Sequence, residues 1–322
     1  MRKALCVGID CYKNIAGLYG CVNDANEVKS ALERNGDGTL NFNVKIMCST
    51  SEESYISKGE LKDSIIELFA SQSEIAVFYY AGHGSLDNTG GYLCTSEIKR
   101  IDDGLSLNDI MGIVAKSKAQ NNVIILDSCS SGSIANIETM PNYSLLQSGT
   151  TILAACGETE YTTEQNGHGT FTSLFVEALY GGAMNLLGEV SPGSIYSYID
   201  RSLGAWDPRP VFKANIRGFV SLRKNMPPIK IDELRRIIEF FKSPYDEYKL
   251  DPTYEPDKHE VENKEINKEH EEIFSILQRY VKLNLVIPVG AEHMYYAAIE
   301  SKACKLTVQG QHYWNLVKKN TI

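Results

Sequence analysis

Two residues able to do covalent chemistry lie at the ends of apolar stretches in this sequence. Cys129 closely follows the apolar residues 123–126, and His83 follows residues 75–81 and stands between two glycines. A thiol becomes a strong nucleophile as the thiolate, which a nearby imidazole stabilises before it donates a proton to a leaving amine. Either residue alone is usually a structural thiol or a turn histidine, but their matching contexts favour a Cys–His dyad for acyl transfer.

Small residues beside this dyad would leave room for a substrate carbonyl to approach. A glycine after the histidine lets the backbone expose its amide, and backbone amides stabilise the oxyanion formed during acyl transfer. We therefore predict that the amides of Gly84 and Cys129 form the oxyanion hole. The sequence has no Gly-x-Ser-x-Gly motif, which is the usual signature of a serine hydrolase.

The elements that must position these residues are buried parallel strands. Strands whose two faces are both apolar alternate with helical patterns, which is typical of an α/β sheet covered on both faces. Sites in such sheets form at the carboxyl ends of the strands, so His83 and Cys129 are expected to meet there. Six strands are predicted, and the last, which starts with a proline, should lie at an edge: residues 3–9, 43–48, 75–81, 123–127, 151–155 and 210–214.

The chain is expected to divide near the proline pair at residues 227–228. Residues 1–224 form the large α/β domain, and residues 225–272 contain a helix and an acidic linker. Residues 273–322 form a small, mainly helical domain whose order of helix, paired strands and helix resembles a winged helix. Its strands are predicted at residues 294–299 and 304–307. We expect this domain to bind a regulatory protein partner.

Composition narrows the class of protein. The formal net charge of -9 argues against a nucleic-acid partner for the whole chain. The sequence contains no apolar stretch long enough for a membrane span, and its first residues do not form a signal peptide. Its eight cysteines include no Cys-x-x-Cys pair, so reduced thiols and a cytoplasmic location are expected.

Three motifs resemble those of caspase-like cysteine peptidases, in particular metacaspases and bacterial caspase-family proteins. They are Tyr-Tyr-Ala-Gly-His-Gly-Ser at 79–85, Leu-Asp-Ser-Cys-Ser-Ser-Gly at 126–132, and Tyr-Gly-Cys-Val-Asn-Asp-Ala at 19–25. The histidine precedes the cysteine by roughly 50 residues, as in caspases. The resemblance implies a caspase-hemoglobinase fold, with a mainly parallel six-stranded sheet between helices. It also implies an endopeptidase with a thioester intermediate, and a regulated bacterial defence or cell-death role.

The resemblance further implies a pocket for arginine or lysine at the residue before the cut. Asp24 and Asp127 correspond to the pocket acids of metacaspases, Cys21 to a further pocket position, and Ala81 replaces a serine frequent in the family. Two desolvated carboxylates can hold a guanidinium and would repel an aspartate side chain. The competing roles are a helix cap for Asp24 and a strand-end hydrogen bond for Asp127.

Calcium is the one cofactor that the resemblance suggests, although a Cys–His dyad itself requires none. Asp102 and Asp103 resemble the paired acids of calcium-dependent metacaspases, and Asp87 could add a third oxygen ligand. A solvated acidic loop explains the same residues equally well. Calcium binding and a plain loop therefore remain two alternatives.

Residues 130–151 correspond to the linker that caspases cleave on maturation, and they contain neither lysine nor arginine. An enzyme specific for basic residues cannot cut itself there, so we expect activity from the uncut chain, or cleavage elsewhere, such as after Lys99 or Arg100 or near residues 223–224. His168, between two glycines, precedes a predicted helix, which favours a loop role for this histidine. The rival function is a catalytically silent scaffold with the same fold that binds proteins.

Overall fold

The computed structural model describes residues 1–87, 90–100, 103–128, 133–134, 136–137, 140–155, 164–165, 168–255 and 267–322. These residues form two compact units, Met1–Met226 and Pro227–Ile322. In chain order the first unit contains β1 Arg2–Ile9, α1 Cys21–Glu33, β2 Asn43–Ser49, α2 Lys58–Ala70, β3 Ser73–Ala81, β4 Gly84–Asp87, β5 Gly90–Leu93, β6 Leu105–Ser106, α3 Leu107–Val114, β7 Ala119–Asp127, β8 Asn136–Ile137, β9 Met140–Ser144, β10 Thr150–Ala154, β11 Glu164–Gln165, β12 His168–Gly169, α4 Thr170–Glu177, β13 Glu189–Val190, α5 Pro192–Ser202, β14 Val211–Asn215 and β15 Arg223–Lys224.

The central sheet has six strands in the order β14-β10-β7-β3-β1-β2. The β14 strand runs antiparallel to β10, and all other neighbours are parallel. This confirms the predicted mainly parallel six-stranded α/β sheet. Strand β14, which Pro210 immediately precedes, lies at an edge as expected, where a missing backbone donor costs little.

Helices cover both faces of this sheet. Residues of α1, α4 and α5 pack on one face, and residues of α2 and α3 pack on the other. Alternate side chains of a strand point to opposite faces, so β3 contributes Tyr79 to the first layer and Tyr80 to the second. Both layers need apolar partners from the strand, which explains why residues 75–81 are apolar almost without interruption.

The amino-terminal end of α1 packs closely against β1. A Cβ atom built on Gly8 would lie 2.3 Å from the carbonyl oxygen of Cys21, so only a glycine permits this approach. The helix is capped from outside, because Asp10 Oδ1 accepts a hydrogen bond from the Cys21 amide at 2.9 Å. The helix-cap role considered for Asp24 is therefore wrong, and Asp24 lies within the first turns of α1.

The second unit combines helices with a small antiparallel sheet in the order β16-β18-β17. Its elements are α6 Ile231–Arg235, α7 Ile237–Phe240, β16 Glu247–Lys249, α8 Lys268–Lys282, β17 Val286–Val289, α9 Met294–Ile299, β18 Ala303–Leu306 and α10 Val308–Lys318. Across the described part of the chain, no helix has the length and apolar character that a membrane span requires.

Two predictions for this unit are wrong in detail. Residues 294–299 form a helix rather than a strand, because Met294, Ala297 and Ala298 recur at helical spacing and are buried together. The strand that pairs with β18 is β17 instead. Part of the predicted linker also belongs to the folded unit, since β16 pairs with β18 and Tyr254 is buried.

Candidate active site

His83 lies just beyond the carboxyl end of β3 and is held by two tyrosines. The His83 amide donates a hydrogen bond to the Tyr12 hydroxyl at 2.8 Å, and the two rings lie 4.9 Å apart. The Tyr80 hydroxyl contacts the carbonyl oxygens of His83 and Cys94 at 2.9 and 2.6 Å. Both tyrosines are buried, so these contacts set the backbone of His83 in place.

The imidazole of His83 has a defined tautomer in its neutral form. Its Nε2 lies 3.0 Å from the carbonyl oxygen of Ala16. A carbonyl oxygen can only accept, so Nε2 carries the proton and donates it in this hydrogen bond. The lone pair is therefore on Nδ1, which is the nitrogen that can take a proton from a nucleophile.

Glycine 82 has no room for a side chain beside these tyrosines. A Cβ atom there would lie 2.6 Å from the Tyr80 hydroxyl and 2.7 Å from the Tyr12 hydroxyl. The glycine before His83 thus allows both hydroxyl groups to reach the backbone. Gly84, the other glycine of the motif, begins β4 and is half-buried.

Asp24 is buried and both of its carboxylate oxygens accept hydrogen bonds from β12. His168 Nδ1 lies 2.9 Å from Oδ1, and the Gly169 amide donates to Oδ2 at 3.0 Å. Burial is the largest influence on this carboxyl group and raises its pKa to about 6, although the bonds from Gly169 and His168 oppose that rise.

Asp127 ends β7, and its carboxylate accepts the last hydrogen bond of a buried chain formed by two hydroxyl groups. Thr172 donates to Asp127 Oδ2 at 2.7 Å, and the Tyr79 hydroxyl lies 2.6 Å from the Thr172 oxygen. Since Thr172 has a single hydroxyl proton, Tyr79 must be the donor in the second bond. The strand-end hydrogen bond considered for Asp127 is therefore present, and it places the carboxylate on the same side of the sheet as α4.

The two acids converge on Gly169. A Cβ atom built on this glycine would lie 2.6 Å from Asp127 Oδ2 and 3.2 Å from Asp24 Oδ2. Ala81, which pairs with both Gly8 and Asp127 across neighbouring strands, places a small buried side chain in the same row. The two buried carboxylates therefore border the same small residue.

Some of the remaining predicted site residues lie within the described part of the chain and others lie outside it. Cys129, with its amide, and Asp102 lie outside the described residues. Cys21 is buried at the start of α1, one turn before Asp24. Asp87 ends β4. The roles predicted for Cys129, Gly84, Cys21 and Asp87 therefore stay predictions.

The described residues do not by themselves fit a calcium site. Within this part of the chain no three acidic, histidine or cysteine side chains come together around a common point. Asp103 Oδ2 instead accepts the amides of Lys99 and Arg100 at 3.2 and 2.8 Å, which is the geometry of a turn. A calcium requirement stays a prediction, and no step of the chemistry depends on it here.

Sequence reasoning missed three residues of this site. His168, Gly169 and Thr172 provide contacts to the two acids, so the loop role predicted for His168 is incomplete. The sequence contains a signal for them, since Gly-His-Gly directly precedes Thr-Phe-Thr at residues 167–172. Two glycines around a histidine at the start of a helix indicate a close approach of the backbone to other groups.

Comparisons with known proteins support a common origin for the first unit. Residues 1–209 match the profile of the caspase domain family. Metacaspase-6 of Arabidopsis thaliana is 30% identical over 147 residues, which are 41% of this chain and 39% of that relative. This chain thus spans about two fifths of the length of the curated relative it matches.

Two solved structures share the fold. The crystal structure of protein GSU0716 from Geobacter sulfurreducens has a TM-score of 0.52 and 16% identity, covering 70% of this chain and 98% of that one. The crystal structure of Caspase-1 from Spodoptera frugiperda has a TM-score of 0.50 and 11% identity, covering 70% and 90%. At these identities the two likenesses establish the fold alone.

Proposed function

Because this chain belongs to the caspase domain family of cysteine peptidases, we propose that it is an endopeptidase that cuts after arginine or lysine. The observation that carries the proposal is the pair of buried carboxylates, Asp24 and Asp127, which border Gly169. Asp127 ends β7, the sheet neighbour of the strand β3 that leads to His83, and Asp24 lies on α1, which packs on this sheet.

The reaction that we propose begins with proton transfer from the Cys129 thiol to His83 Nδ1. The thiolate attacks the substrate carbonyl carbon, and its oxygen becomes an oxyanion that the amides of Gly84 and Cys129 stabilise. Collapse breaks the C–N bond, and the proton on Nδ1 goes to the leaving amine, which leaves a thioester. Water then gives a proton to Nδ1 and its oxygen attacks the thioester, which breaks the C–S bond and releases the carboxylic acid; the thiolate takes the proton back from Nδ1 and becomes the thiol again.

Tyr12 and Ala16 hold the imidazole of His83 in the tautomer and position that it needs to accept a proton and then to donate it. The bond from Nε2 to the Ala16 carbonyl keeps the lone pair on Nδ1 in the neutral ring. The same bond becomes stronger when the ring is cationic, because a charged donor forms a stronger hydrogen bond. Tyr12 holds the His83 backbone, so the ring need not reorganise between steps.

The substrate preference follows from charge. Two carboxylates in a desolvated site attract a guanidinium or an ammonium group and repel a carboxylate. Asp127 accepts a hydrogen bond from the Thr172 hydroxyl, and such a bond stabilises the ionised form of a carboxyl group without neutralising it. We therefore expect cleavage after arginine and lysine and none after aspartate.

A peptide panel tests this function. Purified protein is assayed on fluorogenic peptides that differ only in arginine, lysine or aspartate before the cut, with Cys129→Ala and His83→Ala as controls. We expect turnover of the two basic peptides by the wild type alone. An arginyl chloromethyl ketone should add one label to the wild type and none to Cys129→Ala, as measured by intact mass.

The same panel separates the enzyme from the silent scaffold with this fold. A scaffold would show neither turnover nor labelling, with or without added calcium. Preferred cleavage after aspartate would leave the peptidase assignment standing and contradict the role of the two acids. Labelling at a cysteine other than Cys129 would contradict the assignment of the nucleophile.

A further inference from the structure

His168 contacts Asp24, which is one of the two acids that the proposed function assigns to binding the substrate's basic side chain. Its Nδ1 lies 2.9 Å from Asp24 Oδ1, and its side chain remains 29% exposed although Asp24 is only 3% exposed. The imidazole thus contacts the buried carboxylate and is itself partly exposed to solvent.

Both oxygens of Asp24 are already in use within the protein. Oδ1 faces His168 and Oδ2 accepts the Gly169 amide. A guanidinium can bind this carboxylate with two parallel hydrogen bonds only if one or both of these contacts give way. The Gly169 contact belongs to the backbone at the start of α4, whereas the imidazole is a partly exposed side chain that can rotate away.

We propose that His168 is a specificity-determining residue that competes with the substrate's arginine or lysine for Asp24. This inference rests on the proposed function, because it concerns the same pair of acids. In the free protein His168 supplies the donor that the buried carboxylate needs, so Asp24 is not left unpaired. A substrate binds productively when its cationic group replaces the imidazole, and side chains without such a donor do not displace it.

Charges around this contact come from several elements. Glu27 Oε1, on the same helix as Asp24, lies 3.8 Å from His168 Nε2 and is a further carboxylate beside the imidazole. Asp127 borders the same glycine on the other side, and Tyr79 reaches it through Thr172. The three carboxyl groups of this region outnumber its single histidine, so a cationic substrate group is attracted to the site even while His168 contacts Asp24.

The test compares steady-state constants at pH 8, where Asp24 is ionised because its pKa is about 6. His168→Ala removes the competitor, and His168→Asn keeps a neutral donor near the position of Nδ1. We expect KM for an arginine peptide to fall about tenfold in His168→Ala, with kcat unchanged and an intermediate KM in His168→Asn. His312→Asn, in the second unit, is the matched control and should leave both constants unchanged.

Binding without catalysis gives a second readout. In Cys129→Ala protein, N-acetyl-arginine amide should shift the Nδ1 resonance of His168 in ¹⁵N NMR spectra, and adding His168→Ala should tighten binding about tenfold by calorimetry. If His168→Ala does not fold, His168→Asn carries the same comparison. An unchanged or raised KM, or unchanged binding, would show that His168 merely orients Asp24 and would overturn the inference.

The failure of the proposed function gives a different pattern. In that case the wild type neither cleaves the arginine peptide nor binds the arginine amide, and the inference falls with it. If the wild type cleaves and binds while the His168 variants match it, only the inference is overturned.

Discussion

Gly169→Ala is the substitution that examines the acid pair most directly. The glycine has φ −71° and ψ 134°, which alanine adopts without strain, so any effect comes from the added methyl group. That group would lie 2.6 Å from Asp127 Oδ2 and 3.2 Å from Asp24 Oδ2. Ordinary contact begins near 3.4 Å, so the carboxylate of Asp127 and the backbone must separate by about 0.8 Å.

This displacement weakens two hydrogen bonds to charged groups. They are the bond from the Gly169 amide to Asp24 at 3.0 Å and the bond from Thr172 to Asp127 at 2.7 Å. Each such bond contributes about 1.5–3 kcal/mol. If weakening both bonds costs about 3 kcal/mol of the free energy with which the acids hold the substrate's arginine, kcat/KM falls about 100-fold. Each factor of ten corresponds to about 1.4 kcal/mol.

The assay measures kcat/KM on the arginine peptide and Tm by calorimetry for Gly169→Ala and for Gly112→Ala. Gly112 lies in α3, and a Cβ atom there meets nothing within 4 Å. The control should keep full activity and gain about 0.5–1 kcal/mol of stability, since alanine favours a helix. The explanation is refuted if Gly169→Ala has the activity and Tm of the control.

Three further predictions follow from the same contacts. Tyr12→Phe leaves the His83 amide without its buried acceptor, at a cost of about 1–3 kcal/mol, so kcat should fall at least about tenfold. The control is Tyr245→Phe, because Tyr245 is exposed. Equal kcat values for the two variants would contradict the role of Tyr12. Asp24→Asn should raise KM for arginine peptides and yet stabilise the fold, because burial raises the pKa of Asp24 from 3.8 to about 6 and so makes its ionised form costly. That cost is absent well below pH 3.8, grows as pH rises and is complete above about pH 6, so denaturant titration should show a gain of about 3 kcal/mol at pH 7.5 that vanishes towards pH 4. A gain independent of pH would contradict this cause. Active protein should keep an intact mass without a cut within residues 130–151, and a requirement for such a cut would contradict specificity for basic residues.

Much of the fold could be predicted from local sequence pattern. The apolar run before His83 indicates a strand buried on both faces, and the proline before β14 indicates a strand at the sheet edge; the structure contains both. The start of α1 could not be predicted in this way. Its cap is Asp10, which belongs to the loop after β1 and approaches only because Gly8 has no side chain.

The second unit shows the same limit of prediction from local sequence pattern. Residues 294–299 are apolar and aromatic enough for a strand, yet they form a helix because the buried positions recur every three or four residues in the packed unit. Short apolar stretches fit both kinds of element, so their packing partners decide between them.

The sequence by itself determined which residues can do the chemistry and which strands lead to them, because residue type and apolar spacing are local properties. Only the tertiary structure decided what the acids contact. His168 and Asp24 are 144 positions apart and share a hydrogen bond. They meet because α1 and β12 pack together beside Gly169, where a missing Cβ atom leaves room for two carboxylates. Such a meeting depends on the packing of distant elements, and no local pattern encodes it.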